Sequence, residues 1–159
     1  DNYQFLGLPL FPDLLPGRGA LGGLYTALTA ATHPLVIVIA CDMPFVNKDL
    51  LAAERNLLIE KQTDAVVPQH SEGMEPFHSI YNRETCLPFI ESAIQAGKWR
   101  ADAWFYQARI TFMNKERILA LDPNFLSFLN VNTPDEVRAA EELAMKLKLN
   151  EISKRPQGQ

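Results

Sequence analysis

The chain has little that would mark it as secreted, metal-caged or nucleic-acid binding. It has 159 residues and two cysteines, Cys41 and Cys86, and neither belongs to a CxxC or a Cys/His ligand spacing. A disulfide framework is therefore excluded, which suits a cytoplasmic protein. Lys and Arg are dispersed and the net charge is -4, so no basic stripe invites nucleic acid. No run approaches the ~20 apolar residues of a membrane span. The opening residues carry no secretory leader pattern. Only three histidines are present, and none completes a Ser-His-Asp arrangement beside a nucleophile. What remains is an ordinary globular balance, 47% apolar and 21% charged, enough for one domain with a real core.

The strongest positive feature is Leu35-Val36-Ile37-Val38-Ile39-Ala40-Cys41-Asp42-Met43-Pro44. Continuous apolar character without alternation predicts a strand covered on both faces, as in a parallel sheet between helices, with Cys41 as a small structural residue at its end. Asp42 then stands at the strand's carboxyl end, where open α/β sheets bind ligands. A single acid held there suits Mg²⁺ and the phosphates it neutralises.

Around this strand the pattern alternates. Residues 8–20, rich in Pro and Gly, read as an extended piece and a loop. Helical spacing covers 21–31, and Asn47 caps a helix over 48–61. Residues 63–68 read as a strand, 70–73 as a polar turn, and 75–82 as an antiparallel or edge strand. Residues 85–96 read as a helix closed by Gly97, followed by a helix over 101–107 and a strand over 109–114. Thr133-Pro134-Asp135-Glu136 is a capping box with Pro at N1, opening a helix to about 149. The expectation is one α/β domain over 1–150, a three-layer Rossmann-like sandwich with a mostly parallel sheet, and a polar, disordered tail from Ser153, within 151–159.

Several constellations carry chemistry. Gly17-Arg18-Gly19-Ala20-Leu21-Gly22 matches G-x-G-x-x-G, with Asp42 at the spacing of a ribose-binding acid, which would make a dinucleotide (NAD-type) site. Three prolines and an Asp occupy the place of the strand that fingerprint requires. The same loop, Gly19 to Gly23, otherwise reads as a low-bulk nucleotide surface facing a helix N-terminus, with Asp13 just ahead as an acceptor for a base or ribose. Asn130 and Asn132 share one side of an extended segment and suit a hard cation or a pterin-like heterocycle. His78 reads as lining a pocket or as structural. His33 falls in a loop and His70 in a turn.

Read in order, Gly19-Ala20-Leu21-Gly22-Gly23, Ala40-Cys41-Asp42-Met43-Pro44, Asp64-Ala65-Val66-Val67-Pro68, Glu75-Pro76 and Asn130-Val131-Asn132-Thr133-Pro134 resemble the molybdenum cofactor guanylyltransferase family over roughly residues 5–147. The resemblance implies a nucleotidyltransferase fold and an enzyme that joins the GMP part of GTP to molybdopterin, releasing pyrophosphate with Mg²⁺. Cytidylyltransferase relatives share the frame, so base choice stays open. It implies Asp42 as catalytic and metal-binding, and Asp13, Gly19, Leu21, Gly22 and Asp42 at the nucleotide. It places Asn130 and Asn132 at molybdopterin, with Asn132 also at the metal. The implied partners are GTP, molybdopterin and cofactor-handling proteins, with no nucleic acid and no membrane, and the implied state is a monomer. The family's opening strand and glycine-rich phosphate loop with its Arg and Lys have no counterpart in these residues, so the first βα unit is expected to be missing and the chain alone inactive.

Overall fold

The computed structural model describes residues 3–154. Among them the order is α1 (Gly19–Ala30), β1 (Leu35–Ile39), α2 (Lys48–Lys61), β2 (Ala65–His70), β3 (Gly73–Met74), β4 (His78–Asn82), α3 (Arg83–Gln95), β5 (Ile110–Met113), α4 (Lys115–Leu121) and α5 (Pro134–Lys154). Strand β4 lies between β1 and β2 and runs against both, while β5 lies parallel to β2. Thus β1, β2 and β5 share one direction, and β4 and the two-residue β3 oppose it. The expected antiparallel strand at 75–82 is therefore interior rather than an edge.

Alternation of side chains across the strands builds two cores, one on each face. On one face, Val38, Ala65 and Tyr81 meet Leu21, Leu24 and Leu28 of α1, Cys86 and Ile90 of α3, and Trp104. On the other, Val66, Ile80 and Met113 meet Leu50, Leu57 and Leu58 of α2 and Ile118 of α4. Each such leucine contributes about 1.5–3 kcal/mol of burial. The result is a helix–sheet–helix sandwich.

Local chemistry sets the element ends. The Asn47 side chain accepts from Asp49 N and Leu50 N, and that of Asn82 from Glu84 N and Thr85 N. Gly97, at φ 71°, closes α3: Gly97 N bonds Ile94 O and Lys98 N bonds Ala93 O, the paired bonds of a Schellman turn.

Several expectations change. β1 is not covered on both faces: Val36 and Val38 pack into the α1/α3 core, but Ile37 is 43% exposed and the strand pairs only with β4 among the described residues. An unbroken apolar run carries no alternation to report a half-open face. Cys41 is exposed, because the strand ends at Ile39 and residues 40–43 turn, with Met43 N bonded to Ala40 O. Residues 101–107 form turns and a 3-10 piece over Phe105–Gln107 instead of a helix. Helix α4 was not expected, although Asn114 caps it through Arg117 N. Helix α5 continues to Lys154, so Ser153 and Lys154 are helical. Asp1, Asn2 and the tail at 155–159 lie outside the described residues.

Candidate functional site

Because β1, β2 and β5 point the same way, their carboxyl ends share one edge of the sheet with the start of β4. α1 returns into β1, so its first turn is carried to that edge as well. Open α/β sheets bind ligands there. The turn after β1 is pinned to the strand beside it, with Ala40 N bonded to Phe77 O at 2.8 Å and Met43 buried beneath.

The decisive contact is between main chains. Val131 N donates to Asp42 O at 2.9 Å. Val131 lies between the two asparagines, so this bond brings Asp42, Asn130 and Asn132 together across 88 residues of sequence. The capping box of α5 holds the other side of the strap. Asn132 N and Thr133 N both donate to Glu136 Oε2, at 2.8 and 2.9 Å, and Glu136 N donates to Thr133 Oγ1 at 3.2 Å. The bonds from Asn132 and Thr133 hold the Glu136 carboxyl below its usual range. With the backbone fixed, the side chains of Asn130 and Asn132 are exposed and that of Asp42 is half-buried. Among the described residues, none of these three side chains makes a hydrogen bond or ion pair within the chain.

The glycine loop is tied down by its own chain. Leu14 N donates to Thr26 Oγ1 at 3.0 Å, which donates to Gly22 O at 2.9 Å. A Cβ on Gly22 would stand 3.2 Å from Leu15 O and 3.3 Å from Arg18 Cβ. Residues 15–18 thus pack closely on Gly22 and favour glycine there. Leu21 is wholly buried and its N–H is bonded to Trp99 O at 3.2 Å, so its side chain belongs to the core. Gly19, at φ 62°, is exposed at the start of α1, where Arg18 provides no side-chain cap. Asp13 is exposed on the loop ahead. No strand precedes Gly17 among the described residues, so the dinucleotide fingerprint of Gly17, Gly19, Gly22 and Asp42 is not formed.

Two features escaped the sequence reading. The loop after α3 folds over the start of α1, with the Arg18 guanidinium 4.9 Å from the Trp99 ring. A cleft of about 410 Å³ opens between Ala20, Gly73, Met74, Pro76 and the Arg100–Asp102 turn. No motif marks Trp99 or Arg100, whose position comes from the Gly97 turn. The second feature is a buried pair: Glu54 and His78 are both 0% exposed, with His78 Nδ1 3.2 Å from Glu54 Oε1, and the ring edge-on to Phe128 at 5.1 Å. Burial raises the Glu54 carboxyl above its ordinary value, partly opposed by the bond to His78. The signal was present, since Glu54 stands four residues from both Leu50 and Leu58, on the apolar side of α2. His78 is thus structural, as its strand position suggests.

The cavity of about 360 Å³ between α2 and α4, lined by Ala53, Leu57, Met113 and Arg117, holds none of the candidate residues and is apolar packing space. No group of three or more His, Cys, Asp or Glu is placed to cage a metal among the described residues. No helix among them is long and apolar enough to cross a membrane.

The family model described as MobA-like NTP transferase domain matches residues 1–109. The molybdenum cofactor guanylyltransferase of Desulfosudis oleivorans is 35% identical over 134 residues, 83% of this chain and 64% of that protein. The protein named probable molybdenum cofactor guanylyltransferase in Pelotomaculum thermopropionicum is 32% identical over 144 residues, covering 91% of this chain and 69% of its own. The chain thus spans about two thirds of the length of these relatives. The crystal structure of molybdopterin-guanine dinucleotide biosynthesis protein A from Archaeoglobus fulgidus superposes with a TM-score of 0.75 at 27% identity, covering 92% of this chain and 76% of that one. The cytidylyltransferase for 2-C-methyl-D-erythritol 4-phosphate from Thermus thermophilus, at 19% identity and a TM-score of 0.58, shares the fold. A three-layer α/β sandwich with Asp42 and the two asparagines joined at its carboxyl edge, and a family model matching 109 of its 159 residues, show that this chain belongs to the MobA-like NTP transferase domain family.

Proposed function

We infer that the chain carries the active-site edge of a nucleotidyltransferase that joins the GMP part of GTP to molybdopterin. The bond between Val131 N and Asp42 O carries this reading, because it brings Asp42 beside Asn130 and Asn132, and the side chains of all three have no bonding partner among the described residues. The names of the relatives supply the reaction class.

Mg²⁺ fits the donor set. One half-buried carboxylate and the amide oxygen of Asn132, open to solvent, suit an ion that takes its other ligands from phosphates and water. When bound, Mg²⁺ would neutralise charge on the nucleotide phosphates. Asp42 holds negative charge at a fixed point near the reacting phosphates. Asn130 and Asn132 orient the acceptor through amide donors and acceptors. Asp13 and the exposed backbone at Gly19 face the nucleotide, and the first turn of α1, which has no side-chain cap, favours its negative charge. The step is in-line displacement: an oxygen of the pterin's terminal phosphate bonds the α-phosphorus, the α–β bridging P–O bond breaks, and pyrophosphate leaves with the electron pair. Such a reaction needs positioning and charge neutralisation more than a covalent nucleophile. A cytoplasmic monomer that passes its product to cofactor-handling proteins completes the proposal.

Thermal-shift titration tests it. GTP with Mg²⁺ should stabilise the chain more than CTP with Mg²⁺, and NADH should not stabilise it. Stabilisation by NADH alone would overturn the reading, and preference for CTP would change the base.

A further inference from the structure

Beside the asparagine strap lies an aromatic cleft that the reaction outlined above does not use. His70, Phe125 and Phe128 form a tilted trio, with centroids 5.5 Å apart for His70–Phe125, 5.1 Å for His70–Phe128 and 6.2 Å for Phe125–Phe128. With Ser71, Glu72 and Leu129 they line a cleft of about 240 Å³. That is below the roughly 300–1,000 Å³ of pockets that enclose a drug-sized ligand, and it suits one flat ring system.

Three observations mark this cleft as built. The His70 ring is locked: Nδ1 accepts from Glu72 N at 3.3 Å, which leaves the proton on Nε2, 3.0 Å from Glu75 Oε1. Phe125 is held at φ 52°, ψ 30°, a left-handed conformation costly for a bulky side chain and found where the surroundings enforce it. The enforcement comes from Asp122, whose carboxylate accepts from Leu126 N and Ser127 N at 3.1 and 2.8 Å and whose carbonyl accepts from Phe125 N at 3.1 Å. Finally, the Glu72 carboxylate on the rim has no bonding partner within the chain among the described residues.

We propose that this cleft seats the pterin ring of the acceptor, stacked on Phe125 and Phe128, with the Glu72 carboxylate accepting from the ring's 2-amino and N3–H donors. Guanine carries the same 2-amino-4-oxo pyrimidine edge. The pterin is the occupant because Leu129 leads directly into Asn130, on the acceptor side of the site, and no residue of the Gly19–Gly22 loop lines the cleft. The proposal rests on the transferase reading for its ligand and adds a subsite to it.

Fluorescence titration with 6-hydroxymethylpterin is the test, because stacking on an aromatic ring quenches the pterin. The chain should quench it, and guanosine should compete weakly. Phe125→Leu and Glu72→Gln should each weaken binding about tenfold, the scale of losing one stacking or charge-assisted contact, and Phe125→Tyr should restore it. Circular dichroism confirms that each variant is folded. Absence of quenching by the native chain, native affinity in both variants, or tighter binding of guanosine would overturn the subsite. Quenching lost in the variants, with no stabilisation of any of them or of the native chain by GTP and Mg²⁺, would keep the subsite and remove the nucleotide reading.

Discussion

Asp64 and Asp42 stand at opposite ends of parallel strands and are treated in opposite ways. At the amino end of β2, Asp64 is 4% exposed and fully engaged. Its carboxylate accepts from Arg109 N at 2.8 Å and from the Arg109 guanidinium at 2.9 Å, and its carbonyl accepts from Asn82 N at 2.7 Å and from the Cys86 thiol at 3.2 Å. Burial also pushes that thiol up to about 12. At the carboxyl end of β1, the Asp42 side chain has no partner in the chain among the described residues, and only its main chain is tied. Buried polar groups are normally satisfied internally. One end of the sheet uses its polar atoms for structure; the other holds them in place and leaves them for something else.

The largest expected effects separate these roles. Asp42→Ala should lower transfer by at least about a hundredfold in the intact protein, read by pyrophosphate release, while the melting temperature stays put. Asp64→Ala should do the reverse, destabilising by about 2–3 kcal/mol in urea unfolding because Arg109 N loses its acceptor, with nucleotide binding retained below the transition. A stability loss for Asp42→Ala equal to that for Asp64→Ala would break the comparison.

The buried Glu54–His78 pair offers a comparison on the other face of the sheet. His78→Leu alone should cost about 3 kcal/mol at neutral pH, since it leaves an acid buried without its partner. The Glu54→Leu/His78→Leu double variant should recover most of that loss in the same unfolding assay.

Acid titration sharpens the contrast further. Burial by itself would raise Asp64, but the side-chain and backbone bonds from Arg109 outweigh it and hold the carboxyl below its ordinary value. The folded state therefore binds this proton less readily than the unfolded state. The stability it contributes is complete above the ordinary aspartate range and is lost as pH falls through the folded value. Glu54 has the opposite sign: its stability is complete below the ordinary glutamate value and declines as pH rises through the raised one. Asp64→Asn should flatten the acid limb of a melting-temperature profile, and an unchanged limb would show that other carboxylates set it. The smallest effect should come from Thr133→Ala, a loss of about 1 kcal/mol from the cap of α5 in thermal unfolding.

Much of this arrangement was legible in particular residues. Asn47, Gly97 and Thr133-Pro134-Asp135-Glu136 announce their helix ends because capping is local chemistry between neighbours in sequence. Asp42 after an apolar run placed a carboxylate at a strand end. Glycine spacing gave no sign of two packing roles: Gly22 lies close against Leu15 and Arg18, and Leu21 belongs to the core. Both roles depend on what packs against them, not on their spacing. Phe125 gave no sign of its left-handed backbone, which Asp122 imposes through bonds visible only once the chain is folded.

Residue order by itself determined the alternation of helices and strands, their caps and the acid at the end of β1, since each follows from hydrogen bonding and burial within a few neighbours. Tertiary structure decided the rest. It placed β4 between β1 and β2, left Ile37 and Cys41 open, and closed 88 residues of chain into the bond between Val131 and Asp42. Contacts between distant segments depend on loop closure and on packing across both faces of the sheet, and no local pattern encodes them.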